Sequence, residues 1–185
     1  VVQEMADNLS LNLVDKKLVT DQLVLTVNYD TESLTNPTIK EEYHGEIVNN
    51  YYGKPVPKHA HGTTNLNTHS SSSRLIIDAI MKLYDKIVNH NLLIRRLTLC
   101  ANHVISEEKI QSIKQPIQLD LFTDYDQFKK EKEEEKEMFE KERKIQESVL
   151  SIKKRYGNNA ILKGVNFEEG ATAKERNTQI GGHKA

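Results

Sequence analysis

Histidine and cysteine are the residue types in this chain that most readily bind metals or act as nucleophiles. The chain has seven histidines and one cysteine. His59 and His61 lie two positions apart, so in a strand they share a face, and His69 follows. No nearby cysteine or carboxylate completes a ligand set, so the sequence predicts no metal site. Cys100 lies in a strand-like run and is predicted to be a packed thiol rather than a nucleophile. A lone cysteine cannot form an internal disulfide, which fits a reducing cytoplasm.

A short apolar motif is the most specific local signal in the chain. Its residues are Gln118, Leu119, Asp120, Leu121 and Phe122, and they lie in a polar stretch. An extended peptide of this kind can insert its leucines and phenylalanine into a preformed groove, while the glutamine amide bonds the groove's backbone. The motif resembles the pentapeptide by which bacterial polymerases bind the β sliding clamp. The alternative is a linker patch that packs back on its own domain.

Polar and apolar residues alternate in two predicted strands, which gives each strand one polar face. In the strand 93–104, Leu97, Leu99 and Ala101 are predicted to face the helices. The opposite faces of the two strands then carry Arg96, Thr98, Cys100 and Asn102 in one strand and His61, Thr63 and Asn65 in the other. Such a surface is poor core but suits contacts with phosphates. A basic residue in place of Cys100 would strengthen phosphate binding by this surface. The alternative is that the surface is an ordinary solvated face of the domain.

The remaining patterns predict an α+β domain with appendages. Helical spacing of apolar residues predicts helices at Val1–Val14 and, after a serine-rich cap, at Leu75–Val88. β-branched, alternating runs predict strands at 21–29, 58–66 and 93–104. Residues 30–57 contain Asn36-Pro37 and Gly53, so they are predicted to be mostly an exposed loop.

The composition of the sequence changes after Ser106. Residues 107–124 are predicted to be a linker, 125–157 a long charged helix that Gly157 ends, and 158–185 a Gly-rich irregular tail. Between Lys129 and Lys144 the helix has 7 acidic and 7 basic residues, which favours a solvated face with i,i+4 ion pairs. A short apolar stripe follows, formed by Ile145, Val149, Ile152 and Tyr156. One alternative function is a helical adaptor in which Tyr125–Tyr156 pairs with another coiled partner, but the balanced charge and the thin apolar stripe argue against it. The other alternative is a clamp-binding DNA repair accessory protein.

Basic residues are concentrated in the middle and at the end of the chain. The net charge is only −1, but residues 1–57 have 4 Lys/Arg against 9 Asp/Glu, whereas residues 58–110 have 7 against 4. This segregation favours a local rather than a global basic surface. No apolar run approaches the roughly 20 residues that a membrane span needs.

Most of the chain resembles the C-terminal part of Y-family (UmuC/DinB-like) translesion DNA polymerases. The resemblance rests on Val2–Val14 with Leu18–Leu23, on Ile94-Arg-Arg-Leu-Thr-Leu99, and on a tail similar to UmuC-like polymerases of Gram-positive bacteria, including Lys153–Gly157, Ala160–Gly164 and Ile180–Ala185. It implies a little finger domain at 1–106 with the ferredoxin-like order βαββαβ. This domain is expected to contact the sugar-phosphate backbone of primer-template DNA. Arg95 and Lys58 are expected to contribute to the polar face that makes these contacts. DNA and the β clamp are the expected partners.

The resemblance also predicts two absences. The family's paired carboxylates, which hold two Mg²⁺ ions in a palm domain, lie well upstream of the little finger. The chain alone is therefore expected to be non-catalytic and to need no cofactor, although the resembled full-length protein is a DNA-directed DNA polymerase. The first strand of the βαββαβ unit is expected upstream of Val1, which would leave the strand 93–104 facing a gap.

Overall fold

The computed structural model describes residues 1–112, 125–180 and 183–184. Its helices are α1 Val2–Asp15, α2 Glu32–Thr35, α3 Pro37–Glu42, α4 Ser73–Ile87, α5 Glu107–Ser112, α6 Tyr125–Tyr156 and α7 Ala173–Arg176, with a 3-10 turn at Gly164–Phe167. Its strands are β1 Leu18–Tyr29, β2 Ile47–Asn49, β3 Pro55–Pro57, β4 Ala60–Ser70, β5 Ile94–Asn102, β6 Ile105–Ser106, β7 Gln179–Ile180 and β8 His183–Lys184. The mixed α+β class is confirmed.

β1 is the central strand of the main sheet. It pairs antiparallel with β4 on one side and with β5 on the other, and its first residues pair with β6. β5 is therefore bonded along its length to β1, from Ile94 opposite Tyr29 to Asn102 opposite Gln22. The expectation that this strand faces a gap is wrong, because β1 itself occupies the central position and pairs with β5 along one edge.

One face of this sheet packs against α1 and α4. Alternate residues of β1, Leu23, Leu25 and Val27, are fully buried there, together with Ile76 and Ile80 of α4. Leu97, Leu99 and Ala101 of β5 pack against the same core, as their period-two spacing predicts. Burying this apolar surface is the main stabilising contribution to the domain. The opposite face of the sheet is left without helices of the core layer.

Residues 30–57 are more ordered than the predicted loop. They form α2, α3 and a two-stranded hairpin of β2 and β3. The side chain of Asn36 caps α3 by accepting a hydrogen bond from the Thr38 amide at 3.1 Å, and Pro37 starts the helix. In this segment Asn36-Pro37 defines where a short helix begins, and it does not exclude regular structure.

The second half of α6 docks onto the helix layer. Gln146 is buried, and its Nε2 lies 2.7 Å from Ser10 Oγ of α1 and 3.1 Å from Ser73 Oγ of α4. The carboxylate of Glu142 accepts hydrogen bonds from Ser72 Oγ at 2.6 Å and the Arg74 amide at 3.0 Å, at the start of α4. A buried polar network therefore fixes α6.

The apolar stripe predicted on α6 is wrong at its ends. Ile145 and Tyr156 are 63% and 65% exposed, and the buried position is Gln146. The helix ends where the sequence predicts, because Gly157 adopts φ +95° and its amide bonds the Lys153 carbonyl at 2.9 Å.

The tail after α6 folds back on α1 around one buried carboxylate. Glu4 is 2% exposed. Its Oε1 accepts hydrogen bonds from Asn166 Nδ2 at 3.0 Å and the Ala173 amide at 3.1 Å, and its Oε2 from the Thr172 amide and Arg176 Nη2, both at 3.1 Å. The tail predicted as irregular thus has a specific anchor. In the part of the chain described, no helix is long and apolar enough to cross a membrane.

Candidate nucleic-acid interface

The face of the main sheet that points away from α1 and α4 is built by the alternation of three strands. Because Leu23, Leu25 and Val27 of β1 point into the core, their neighbours point outward. The same alternation in β4 leaves His61, Thr63 and Asn65 exposed and their neighbours half-buried. We call this surface the open face. It consists of Gln22, Val24, Thr26 and Asn28 of β1, His61, Thr63 and Asn65 of β4, and Arg96, Thr98, Cys100 and Asn102 of β5.

The residues of the open face lie in rows across the three strands. The register places Asn65, Gln22 and Asn102 in one row, Thr63, Val24 and Cys100 in the next, His61, Thr26 and Thr98 in the third, and Asn28 beside Arg96 in the last. The structure therefore brings together the six residues that the alternation predicted for phosphate contacts. It adds the β1 residues between them, which the alternation of Gln22–Tyr29 itself indicates.

Hydrogen bonds between side chains order two of these rows. Gln22 donates to Asn65 at 3.0 Å and accepts from Asn102 at 3.0 Å, so three amide groups form a chain across the sheet. Thr26 Oγ1 lies 2.9 Å from His61 Nδ1. Amides and hydroxyls held in this way present donors at fixed positions, which is the arrangement that binds phosphate oxygens without reading bases.

Arg96 is the guanidinium of the open face. It is exposed, it lies opposite Asn28, and it makes no ion pair with any residue that the structure describes. An exposed arginine whose charge is not neutralised by a neighbour keeps its donors available for a phosphate.

The other two basic residues predicted for this surface have acidic partners instead. Arg95 Nη1 lies 3.7 Å from Asp30 Oδ2, and Lys58 Nζ lies 2.6 Å from Glu46 Oε2. The hydrogen bond with Glu46 raises the pKa of Lys58, and Lys58 precedes β4 rather than lying within its rows. The acidic 30–57 segment thus balances the charges nearest to it.

Cys100 is exposed, on the open face and opposite Val24. The prediction of a packed thiol is wrong because the outward parity of Cys100 in β5 outweighs the general preference of cysteine for the core. The face has one small apolar patch here, formed with Val24.

A cleft of about 410 Å³ adjoins the Arg96 end of the open face. One wall is formed by Asn28, Arg95 and Arg96 of the sheet, with His59 beside them. The other wall is the β2–β3 hairpin, whose tip carries Tyr51 and Tyr52. The sequence prediction missed this feature because it read the segment as a loop. Two adjacent tyrosines followed by Gly53 are the signal that marks an aromatic turn.

The pentapeptide and the histidine pair are the two other features that the sequence analysis considered. The pentapeptide Gln118–Phe122 lies outside the described residues. His59 and His61 have ring centroids 6.4 Å apart. Within the described ranges, no group of three histidine, cysteine or carboxylate side chains is placed to hold a metal ion.

Comparison with protein-family models, with curated proteins and with solved structures found no significant match. The sequence motifs and the geometry of the described residues therefore carry the functional proposal.

Proposed function

We propose that this chain is the DNA-binding and clamp-tethering region of a Y-family translesion DNA polymerase, with residues 1–106 as its little finger domain. The open face is the observation that carries the proposal. It is a three-stranded polar surface that no helix of the described residues covers. It has donors in ordered rows, and it holds an arginine that no described carboxylate neutralises.

The open face suits contacts with the sugar-phosphate backbone of duplex DNA. Amides, hydroxyls and a guanidinium are the groups that most often contact phosphate and sugar, and such contacts fix position without selecting sequence. The face offers one positive charge that no described carboxylate neutralises, so binding through the face alone would be weak, and its single phosphate contact would give a salt slope of only about one unit. A polymerase that must accept damaged templates needs this kind of grip, because base-specific contacts would reject the lesion.

The pentapeptide Gln118–Phe122 supplies the second half of the proposal. A tether to the β clamp raises the local concentration of the chain at the primer terminus, so weak contacts on the open face become sufficient. The chain alone does not polymerise in this assignment, because the carboxylates that hold Mg²⁺ belong to the catalytic part of the resembled polymerases. The assignment would place the chain in the cytoplasm.

The docking of α6 argues against the helical adaptor. Glu142, Arg143 and Gln146 use their polar groups on the chain's own α1, α4 and α5 rather than presenting them to a partner helix. The exposed part of the helix is highly charged and has no continuous apolar seam, which a coiled-coil partner requires.

The open face is tested by replacing Arg96 with alanine in the 185-residue chain. Affinity for duplex DNA, measured by fluorescence anisotropy, is expected to fall about equally for several unrelated sequences. The slope of log Kd against log salt should decrease by about one unit, since one phosphate contact is lost. The matched control is Lys82→Ala, which removes an exposed charge on α4, away from the open face.

Two results would contradict the proposal. One is a loss confined to particular sequences, which means base readout. The other is an equal effect of Arg96→Ala and Lys82→Ala, which means that the chain binds DNA by its general charge.

A further inference from the structure

The hairpin of β2 and β3 holds its tip in a defined shape. The side chain of Asn50 accepts hydrogen bonds from the amides of Tyr52 at 2.9 Å and Lys54 at 3.0 Å. The Lys54 carbonyl accepts from the Asn50 amide at 2.8 Å, and Gly53 supplies the positive φ of +74° that closes the turn. These bonds hold the backbone that carries the two tyrosines in a defined turn.

The base of the hairpin is anchored to the domain. Pro57 is fully buried, the Lys58 amide donates to the Glu46 carbonyl at 2.8 Å, and Tyr43 donates its hydroxyl to the same carbonyl at 2.8 Å. Burial raises the pKa of the Tyr43 hydroxyl, which therefore stays protonated and remains a donor. The hairpin is thus a fixed projection from the domain.

The rings of Tyr51 and Tyr52 lie mostly in solvent. They are 96% and 78% exposed, and their rings meet edge to face at a centroid distance of 5.4 Å. Two adjacent aromatic rings left in solvent on a rigid turn offer free π-faces to a ligand. Since neither ring packs on the core, stability does not explain them.

The chemistry of the adjoining cleft identifies the kind of ligand. Its sheet wall includes Arg96 and Arg95, of which Arg95 is paired with Asp30, and its hairpin wall has Asn49 and Asn50. Apolar side chains, among them Val48, Val56 and Pro57, line the rest of the cleft. A cation beside exposed aromatic rings suits a strand of phosphates that carries unpaired bases. The volume of about 410 Å³ lies within the usual range of ligand sites. Arg96 belongs both to this cleft and to the open face, so the two surfaces are continuous.

We propose that the Tyr51–Tyr52 hairpin and its cleft bind single-stranded DNA next to the duplex held on the open face. Unpaired bases stack on the two tyrosine rings, and Arg96 contacts the phosphate at the junction. In an intact duplex the base faces are already stacked on each other, so the rings select unpaired nucleotides. The inference rests on the proposed DNA-binding function and adds a preference for the junction between duplex and single strand.

The experiment compares three labelled probes in anisotropy titrations with the 185-residue chain: a blunt duplex, the same duplex with a single-stranded extension, and the extension alone. The wild-type chain is expected to bind the extended duplex more tightly than the blunt one. In Tyr51→Ala/Tyr52→Ala this advantage should disappear, with a loss of about fivefold to a hundredfold in affinity for the extended duplex. Affinity for the blunt duplex should be unchanged. Tyr51→Phe/Tyr52→Phe keeps the rings and should retain the advantage.

The outcomes separate this inference from the proposed function. If the wild-type chain binds no duplex, the proposed function fails. If it binds blunt duplex, but the extension adds nothing or the alanine variant keeps the advantage, the inference is overturned. The exposed rings would then belong to a protein partner while the duplex grip stands. Because both side chains are exposed, an unchanged thermal melt verifies that the alanine variant is folded.

Discussion

Removing the negative charge of Glu4 should release the tail from α1. Glu4 is 2% exposed, and its two oxygens accept four hydrogen bonds from the tail, including one from the Arg176 guanidinium. In Glu4→Gln the side chain keeps its shape, but one oxygen becomes an NH₂ group. Whichever way the amide is turned, two tail donors lose their acceptor.

The magnitude follows from those two bonds. A hydrogen bond to a charged group contributes roughly 1.5–3 kcal/mol, so losing two weakens docking by about 3 kcal/mol at the lower end. That corresponds to roughly a 150-fold shift of the equilibrium toward the undocked tail. The amides of Thr172 and Ala173 bond the carboxylate directly, and hydrogen exchange measured by NMR reports on them. Both amides are expected to lose protection, while the amides of β1 keep theirs.

Asp7→Asn is the matched control on the same helix. Asp7 pairs with Lys163 at 2.5 Å, but the lysine side chain is 50% exposed, so this ion pair contributes at most about 1 kcal/mol. If Glu4→Gln leaves the exchange of Thr172 and Ala173 unchanged, or affects it no more than Asp7→Asn does, the buried carboxylate is not the anchor of the tail.

The same carboxylate makes docking depend on pH. Burial disfavours the charge of Glu4, but hydrogen bonds from Asn166, Thr172 and Ala173 outweigh burial and hold its pKa below the ordinary value of 4.5. Because the pKa is lower when the tail is docked, the stabilisation is complete well above pH 4.5 and is lost as pH falls through the lowered value. In Glu4→Gln this acid dependence should disappear.

Two further variants test the tether and the docked helix. A peptide of residues 116–124 is expected to bind the β clamp with micromolar affinity, about 8 kcal/mol, and equal binding of its Phe122→Ala form would remove the clamp assignment. Gln146→Ala should destabilise the chain by roughly 1–3 kcal/mol in urea unfolding, because the buried Ser10 and Ser73 hydroxyls lose a donor. The control Ser148→Ala lies on the exposed side of α6 and should change stability by less than about 0.5 kcal/mol. Equal effects of Gln146→Ala and Ser148→Ala would show that the buried network does not hold the helix.

Local patterns were enough to predict the three long strands of the main sheet and the two helices that pack on it, but not the short elements of residues 30–57. The β-branched run of β1, the serine cap before α4 and the glycine that ends α6 act within a few residues, and the structure has a strand, a capped helix and a helix end at those places. Period-two alternation also placed Arg96, Thr98 and Asn102 on one face, because parity in a strand does not depend on its partners.

Pairing and docking could not be predicted in the same way. The sequence does not state which edge of β1 receives β5, because the order of strands is decided by contacts between residues distant in the chain. For the same reason, Glu4, Ser10 and Gln146 read as ordinary polar surface positions. Each is buried only because a segment more than 60 residues away supplies its hydrogen-bond partner. Buried polar groups of this kind are invisible to hydrophobic periodicity.

The arrangement of the layers bears on how the proposed activities combine. α6 contacts α1 and the first turn of α4, which lie on the core side of the sheet, whereas the open face and the Tyr51–Tyr52 hairpin border the other side. α5 enters the linker from a position held by Arg143 of α6, whose guanidinium bonds both oxygens of Glu107 at 2.6 and 3.2 Å. The helix α5, which precedes the segment with the pentapeptide, is therefore held by α6. In the proposed function the clamp and DNA bind at the same time, which is the condition under which a tether increases affinity.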